Sequence, residues 1–403
     1  MSNGSSPISK SERVFEIDAV RGFALLGILM MNIMSFAGPT LEEQFTMEQS
    51  DIYTGQWNEL SLYFINTFAT SNFYTMFSFL FGLGFYIFLS RAEKRQNNVP
   101  YLLFLKRMLI LLVIGLMHAV LIWYGDILTV YAAAGVLLLV FYRFKPVVNL
   151  AAAAAILGVS TIFILLLSMM SLLFSNSSAG SPGGFDPGFN MTEVLTGGSY
   201  ADIVNLNLSV FSIMISSNIT IIPLVLAMFL IGLYVGQKGI FQNLDAHKKL
   251  ISRTAIIGLG AGIPIKLVLG YGLTYMMDDM MWQVLTLLAY SAGGPLMSLG
   301  YVALFIIIAK KVTGLTKLLQ PVGQMALTNY IMQSILMTVV IYGFNIFNTI
   351  EAVWFIPVVV VVFTVQVIYS HIWMKFFRFG PLEWIWRSLT YSKTMPIKRI
   401  EHR

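Results

Sequence analysis

Cysteine is absent from the 403 residues, which excludes disulfides, thiolate nucleophiles and cysteine metal sites. Histidine is nearly absent: the four, at 118, 247, 371 and 402, show no metal-ligand spacing, and no metal is expected. Charge is scarce too, at 11% of residues against 57% hydrophobic, so there is too little polar surface to coat a water-soluble globule of this length. Lipid must be part of the solvent. The net charge of +6 does not point to nucleic acid, because the cations are spread over inter-helix loops.

What the chain does have is long apolar runs, near 18–38, 68–90, 101–123, 126–142, 147–174, 213–237, 252–276, 283–309, 322–347 and 352–377. They are continuous and rich in Leu, Met and Ala, without the alternation of a barrel wall, so they predict helices. The expected fold is an all-α membrane protein, a single bundle of about ten transmembrane helices. Its expected organisation is an N-terminal segment at 1–17, the bundle at 18–379, and an interfacial GPLEWIWR segment with a basic tail at 380–403. The first run is similar to a signal-peptide core followed by small residues near Ala37, and is counted as a retained helix.

Lys and Arg separate the loops into two sets. One side carries 24 of the 25 cations, and the opposite loops carry only acids, among them Glu59, Glu193, Asp202, Asp279 and Glu351. The positive-inside rule puts the cation side in the cytoplasm with both termini, as an even number of spans requires. Two loops on the far side are long, at about 39–60 and 175–205. The second, rich in Gly, Ser and Pro (SNSSAGSPGGFDPGF), is expected to form a mobile cover.

An ionisable group within hydrocarbon is costly and marks a pathway or a site. The candidates are Asp18 and Arg21 at the inner end of the first run, Arg107 and His118 in the third, Asp126 opening the fourth, and Lys266 in the seventh. Arg21 and Asn32 are eleven residues apart, as are Arg107 and His118, so each pair shares a helix face across about 16 Å. Each helix thus sets a cation at the inner mouth and a polar group in the outer half. That spacing suits an extended anionic cofactor with its phosphates on arginine, although the arginines also read as snorkelling anchors. His118 is the natural general base. Asp126, in WYGDIL, serves either as a helix cap or as the group that orients His118, and Gly125 permits the tight hairpin. Lys266 lies too deep to snorkel and needs a partner or a water-filled cavity; Asp126 is the acidic candidate, and a ligand anion is the alternative. Asn329 and Gln333 share a face of the ninth run beside Tyr330 and Ser334; that stripe either lines a cavity or ties helices together. Gly82 and Gly84 in FSFLFGLGF read as a close helix contact, and GPLEWIWR as an interfacial anchor with an i,i+4 pair of Glu383 and Arg387.

The stretches EIDAVRGFALLGILMMNI, FSFLFGLGF, GLMHAVLIWYGDIL, GQMALTNYIMQS and GPLEWIWR together resemble the YeiB-like family of bacterial integral membrane proteins of unknown function. The opening D-x-x-R-G with its following Asn is also similar to the first helix of the transmembrane acyltransferase superfamily, which includes the lysosomal heparan glucosamine N-acetyltransferase. The resemblance implies a bacterial plasma-membrane protein that passes an acyl group from cytoplasmic acyl-CoA, acetyl-CoA included, to an acceptor hydroxyl or amine on the outer side. On this reading His118, Asp126 and Asn32 are the expected catalytic residues and Arg21 and Arg107 the donor-binding ones; Asp18, Lys266, Asn329 and Gln333 would line the substrate cavity. Here the first outer loop lacks the histidine that the heparan enzyme uses, which moves the base to His118. The expected partners are the lipid bilayer, acyl-CoA and a sugar, lipid or small-molecule acceptor; a homodimer is compatible with the chain. The rival expectations are a transporter or flippase with a His118, Asp126 and Lys266 relay, and a lipid-binding scaffold with a dry interior.

Overall fold

The computed structural model describes residues 15–38, 51–94, 99–175, 189–277 and 279–399. Residues 1–14, most of the expected N-terminal segment, lie outside them, as do the loop stretch 39–50, residues 95–98 and 278, the Gly- and Ser-rich stretch 176–188, and 400–403 at the end of the basic tail. The described residues form helices and no strand: α1 (Phe15–Ala37), α2 (Gln56–Phe68), α3 (Asn72–Lys94), α4 (Pro100–Leu121), α5 (Leu128–Phe141), α6 (Pro146–Ser175), α7 (Met191–Gly197), α8 (Tyr200–Gln237), α9 (Lys248–Tyr275), α10 (Met280–Lys311), α11 (Thr313–Gln324), α12 (Ala326–Ile341), α13 (Phe355–Phe376) and α14 (Pro381–Tyr391).

Each of the ten apolar runs overlaps one or two of these helices, and two of them, 68–90 and 322–347, cross a helix break. Among the described residues, eight spans are long and apolar enough to cross a membrane, and nine if α11 and α12, bent by 79°, count as one; α5 is a shorter apolar helix of 14 residues. The loops are more helical than composition suggests. The second, expected to run to residue 205, gives way to α7 and then to α8 from Tyr200, because Asn190 accepts from Glu193 N and Ser199 forms a reciprocal capping box with Asp202. The first gives way to α2, where Asn58 bonds the backbone of residues 52 and 54.

Two sets of contacts gather the connections at opposite ends. At the cation-rich end, Gln237 donates to the carbonyls of Tyr142 and Phe144, and Lys310 pairs with Asp245 at 2.5 Å. At the other end, Tyr124 and Tyr200 donate to Ser35 O and Leu121 O, and Ser61 to Ala352 O.

Helices in lipid gain little from hydrophobicity toward each other, so close backbone approach must hold them together. Glycines provide it on three pairs. A Cβ on Gly82 of α3 would sit 2.0 Å from Phe229 O, and one on Gly232 of α8 would sit 2.1 Å from Phe79 O. Gly22 and Gly323 interlock α1 with α11, and Gly258 and Gly300 interlock α9 with α10 in the same way. Gly84, expected to share that role with Gly82, instead leaves room for a guanidinium: a Cβ there would meet Arg21 Nη2 at 3.2 Å. Gly82→Ala is expected to force α3 from α8 at a cost of about 3 kcal/mol, read as a lower melting temperature in detergent; an unchanged value would mean that the contact is slack.

Two helix breaks lie inside the bundle, and each is sealed by side chains from elsewhere, as irregular backbone at membrane depth requires. Between α2 and α3, Ser71 takes a left-handed φ of 63°, Lys266 donates to Thr70 O at 2.5 Å and to Ser71 Oγ at 3.0 Å, and Tyr301 donates to Phe68 O. Between α11 and α12, Glu383 of α14 accepts from Leu327 N and Thr328 N, while Asn329 donates to Val322 O.

Candidate functional site

The second break aims α12 at the hairpin joining α4 and α5. A Cβ on Gly125 would lie 2.2 Å from the Trp123 ring, so only glycine lets the chain turn back so tightly. Tyr330 clamps the turn from α12: its hydroxyl donates to Gly125 O at 3.2 Å and accepts from Ile127 N at 3.3 Å. Tyr330 and Ser334 are four residues apart, so they share a face, and Ser334 is brought against the buried stripe of α4.

Three side chains meet there. His118 Nδ1 lies 3.0 Å from Asp126 Oδ1, and Nε2 lies 2.8 Å from Ser334 Oγ. A carboxylate can only accept, so Nδ1 carries the proton and donates to Asp126, which leaves Nε2 to accept from the serine hydroxyl. The other Asp126 oxygen accepts from Thr129 N at 2.8 Å, so the residue both orients the imidazole and caps the start of α5. Gly115 makes this possible, since a Cβ there would fall 2.9 Å from Asp126 Oδ2. The histidine and the serine are each 1% exposed. Beside them Trp123 stacks on Phe36 and lies edge-on to His118, with centroids 6.5 Å apart. Its indole N–H is buried without an acceptor among the described residues.

Ser334 was legible only as one member of a polar stripe, and nothing in its neighbourhood marks it as reactive. The residues chosen from that stripe, Asn329 and Gln333, tie helices together. Asn329 bonds Val322 O, Ser370 Oγ and Tyr369 OH, and Gln333 donates to Leu25 O and Gln366 Oε1. Asn32 is half-buried, and no hydrogen bond joins it to His118, Asp126 or Ser334 among the described residues.

Lys266 does not pair with Asp126. Fully buried, it donates at the first break instead, because the carbonyl left over there attracts an ammonium as a carboxylate does.

The arginines gather at the opposite end of α4. Arg21 pairs with Asp18 at 3.1 Å. The Arg107 guanidinium lies 3.6 Å over the Trp386 ring and 5.2 Å from Phe88, and the Trp386 indole donates to Arg107 O at 2.9 Å. Arg21, Arg387 and Glu383 are within electrostatic reach of Arg107. Arg387, expected to pair with Glu383, lies 4.6 Å over the Phe379 ring, while the Glu383 oxygens serve α12. Between Arg107 and His118 the buried face of α4 presents Met108 and Leu111, which pack into the apolar core and fill the line from the arginines to the imidazole, and Gly115, which sits against Asp126 and the start of α5.

Comparison with known proteins gives a consistent family. The family described as Protein of unknown function (DUF418) matches residues 235–393, a stretch that includes Ser334 and Glu383 and begins after His118 and Asp126. The chain is 31% identical to the uncharacterized protein YxaH of Bacillus subtilis (strain 168), covering 98% of each chain. It is 32% identical to an uncharacterized 39.9 kDa protein in an amylase 3' region of Bacillus acidopullulyticus, covering 97% of each. To the uncharacterized protein YeiB of Escherichia coli (strain K12) it is 27% identical over 96% of this chain and 98% of the relative. No solved structure matches. The likeness runs nearly end to end in all three relatives, and the chain belongs to this YeiB-like family of multi-pass membrane proteins of unknown function.

Proposed function

We propose that the chain is a membrane-embedded acyltransferase that moves an acyl group from acyl-CoA to a hydroxyl or amine acceptor by way of Ser334. The observation that carries this reading is the buried array in which Asp126 orients His118 and His118 accepts from Ser334. In the first half-reaction His118 takes the Ser334 proton as Oγ bonds to the donor's thioester carbonyl carbon. The carbon–sulfur bond then breaks, and His118 returns the proton to the departing thiol. In the second, His118 takes the acceptor's proton as the acceptor attacks the serine ester, and Ser334 leaves with that proton. Trp123 N–H, a buried donor beside the base with no acceptor among the described residues, would serve the developing oxyanion.

The donor's phosphates would sit at the arginine-rich end, on Arg21 and Arg107, which we place in the cytoplasm of a bacterial plasma membrane together with both termini. Because Met108 and Leu111 pack into the core between the arginines and His118, with Met108 against Gly135 of α5, this reading requires that packing of α4 on α5 to open before the acyl chain reaches Ser334. The relay reading is less well supported: it needs Lys266 in line with Asp126, and Lys266 bonds Thr70 and Ser71 instead.

Calorimetry with acetyl-CoA on the purified protein tests the donor assignment. Arg21→Ala is expected to weaken binding about tenfold or more, the loss of one charge-assisted contact. No binding by the wild type at millimolar acetyl- or longer-chain acyl-CoA would overturn the reading in favour of a transporter.

A further inference from the structure

Between α4 and α14, on the outside of the bundle at its cation-rich end, lies a cavity of about 430 Å³. It is lined by Lys106 and Lys393, by Ser388, Ser392 and Thr394, and by apolar Ile110 and Leu389. The lining holds two cations and no carboxylate. Its shape is built into the end of α14. Ser392 takes a left-handed φ of 50°, and Lys393 N bonds Ser388 O, so the chain folds back toward α4. Lys106 Nζ then hydrogen-bonds Ser392 Oγ across the gap. None of these groups takes part in the transfer chemistry or in the arginine cluster.

What lies next to the cavity decides its occupant. Lys106 stands on a helix face whose next residues, Leu109, Val113 and Met117, are 61%, 49% and 56% exposed. The eleven residues from Lys106 to Met117 rise about 16 Å, close to half of a hydrocarbon core about 30 Å thick. The cavity also lies at the level where α14 places Trp384 and Trp386, side chains that favour the headgroup region. A recess of headgroup size that carries two cations thus adjoins an exposed apolar helix face about one leaflet long. A soluble anion would use only the recess.

We infer that this is a binding site for an anionic phospholipid, its phosphodiester held between Lys106 and Lys393 and an acyl chain lying along Leu109, Val113 and Met117. Such a lipid packs α14 onto α4, and so steadies the helix whose Glu383 and Trp386 hold the second break and Arg107.

The test uses native mass spectrometry of the full chain in detergent, titrated with phosphatidylglycerol, phosphatidylcholine, inorganic phosphate and coenzyme A. The wild type is expected to retain one phosphatidylglycerol in preference to phosphatidylcholine. In the Lys106→Glu/Lys393→Glu double variant that affinity should fall at least thirtyfold, since each lysine near an anionic headgroup accounts for about a factor of five. The Lys106→Gln/Lys393→Gln variant repeats the measurement if charge reversal prevents folding, with loss again expected. Acetyl-CoA binding should persist in both, so failure here is separable from failure of the transfer reading. Undiminished phosphatidylglycerol affinity in a folded variant overturns the site. So does a wild type that binds phosphate or coenzyme A there and shows no preference for phosphatidylglycerol, which would make the recess a free-phosphate site.

Discussion

Ser334→Ala is expected to lower turnover by about four orders of magnitude or more while acetyl-CoA binding stays unchanged, because the members of a serine, histidine and carboxylate array act as one unit. The substitution removes a single hydroxyl from a packed site, so the fold should survive it; the lost hydrogen bond accounts for about 1 kcal/mol. His118→Gln should reduce turnover as severely, and the two together should do little more than either alone. That non-additivity separates covalent transfer from its simpler competitor, in which His118 activates the acceptor directly. The competitor predicts a slow His118→Gln protein beside a fast Ser334→Ala protein. That pattern would remove the acyl-serine and keep the base. Mass spectrometry of wild-type protein mixed with acetyl-CoA and no acceptor supplies an independent check, with the mass of one acetyl group expected on the peptide containing Ser334.

The second large effect concerns a residue far from that chemistry in sequence. Glu383→Ala should cost about 3–5 kcal/mol, since it strands two backbone N–H groups at the start of α12 and the Thr328 hydroxyl, the N–H groups at roughly 1–3 kcal/mol each. Thr328 Oγ1 accepts from Leu382 N as well, so the α14 end of the contact loosens with it. Glu383→Gln retains an oxygen for the N–H groups and should keep most of the stability. The pair of variants also carries a pH signature. Burial pushes the Glu383 carboxyl above the ordinary glutamate range, against the pull of the Thr328 and Leu327 donors. The folded chain therefore holds a proton that the unfolded chain has already released, so stability falls as pH climbs from the unfolded pKa through the raised one. The wild-type melting temperature should decline across that window, and the Glu383→Gln protein should lose this part of the decline. A Glu383→Ala protein that melts with the wild type would show that the α11–α12 bend holds without its cap.

The spans were legible because hydropathy is a property of short stretches, and the bilayer reads stretches. Gly82 was legible for a similar reason: a small residue amid bulky aromatics marks close approach. The site was legible only in halves. His118 and Asp126 are eight residues apart on one hairpin, and local geometry was enough to suggest their pairing. Ser334 lies 216 residues beyond His118, and its hydroxyl gains meaning only from the bend that turns α12 toward that hairpin. The bend depends on Glu383, more than fifty residues further on, which reads locally as part of an interfacial anchor. Lys266 shows the opposite error. A buried cation does need an acceptor, but the acceptor was a backbone carbonyl, freed by a helix break that an uninterrupted apolar stretch does not advertise. The helix α2 was overlooked because Gln56, Asn58 and Glu59 dilute its first turns.

The brevity of α5 has a consequence for the bilayer itself. Fourteen residues rise about 21 Å, some 9 Å less than a typical hydrocarbon core. Val136, Leu137 and Val140, toward the Phe141 end of that helix, are exposed, so it is at that cation-rich end that lipid chains shorten to match it. Leu128, Thr129, Val130 and Tyr131 at the Asp126 end are buried, so there the missing length is met by protein packed around the hairpin and not by thinned lipid.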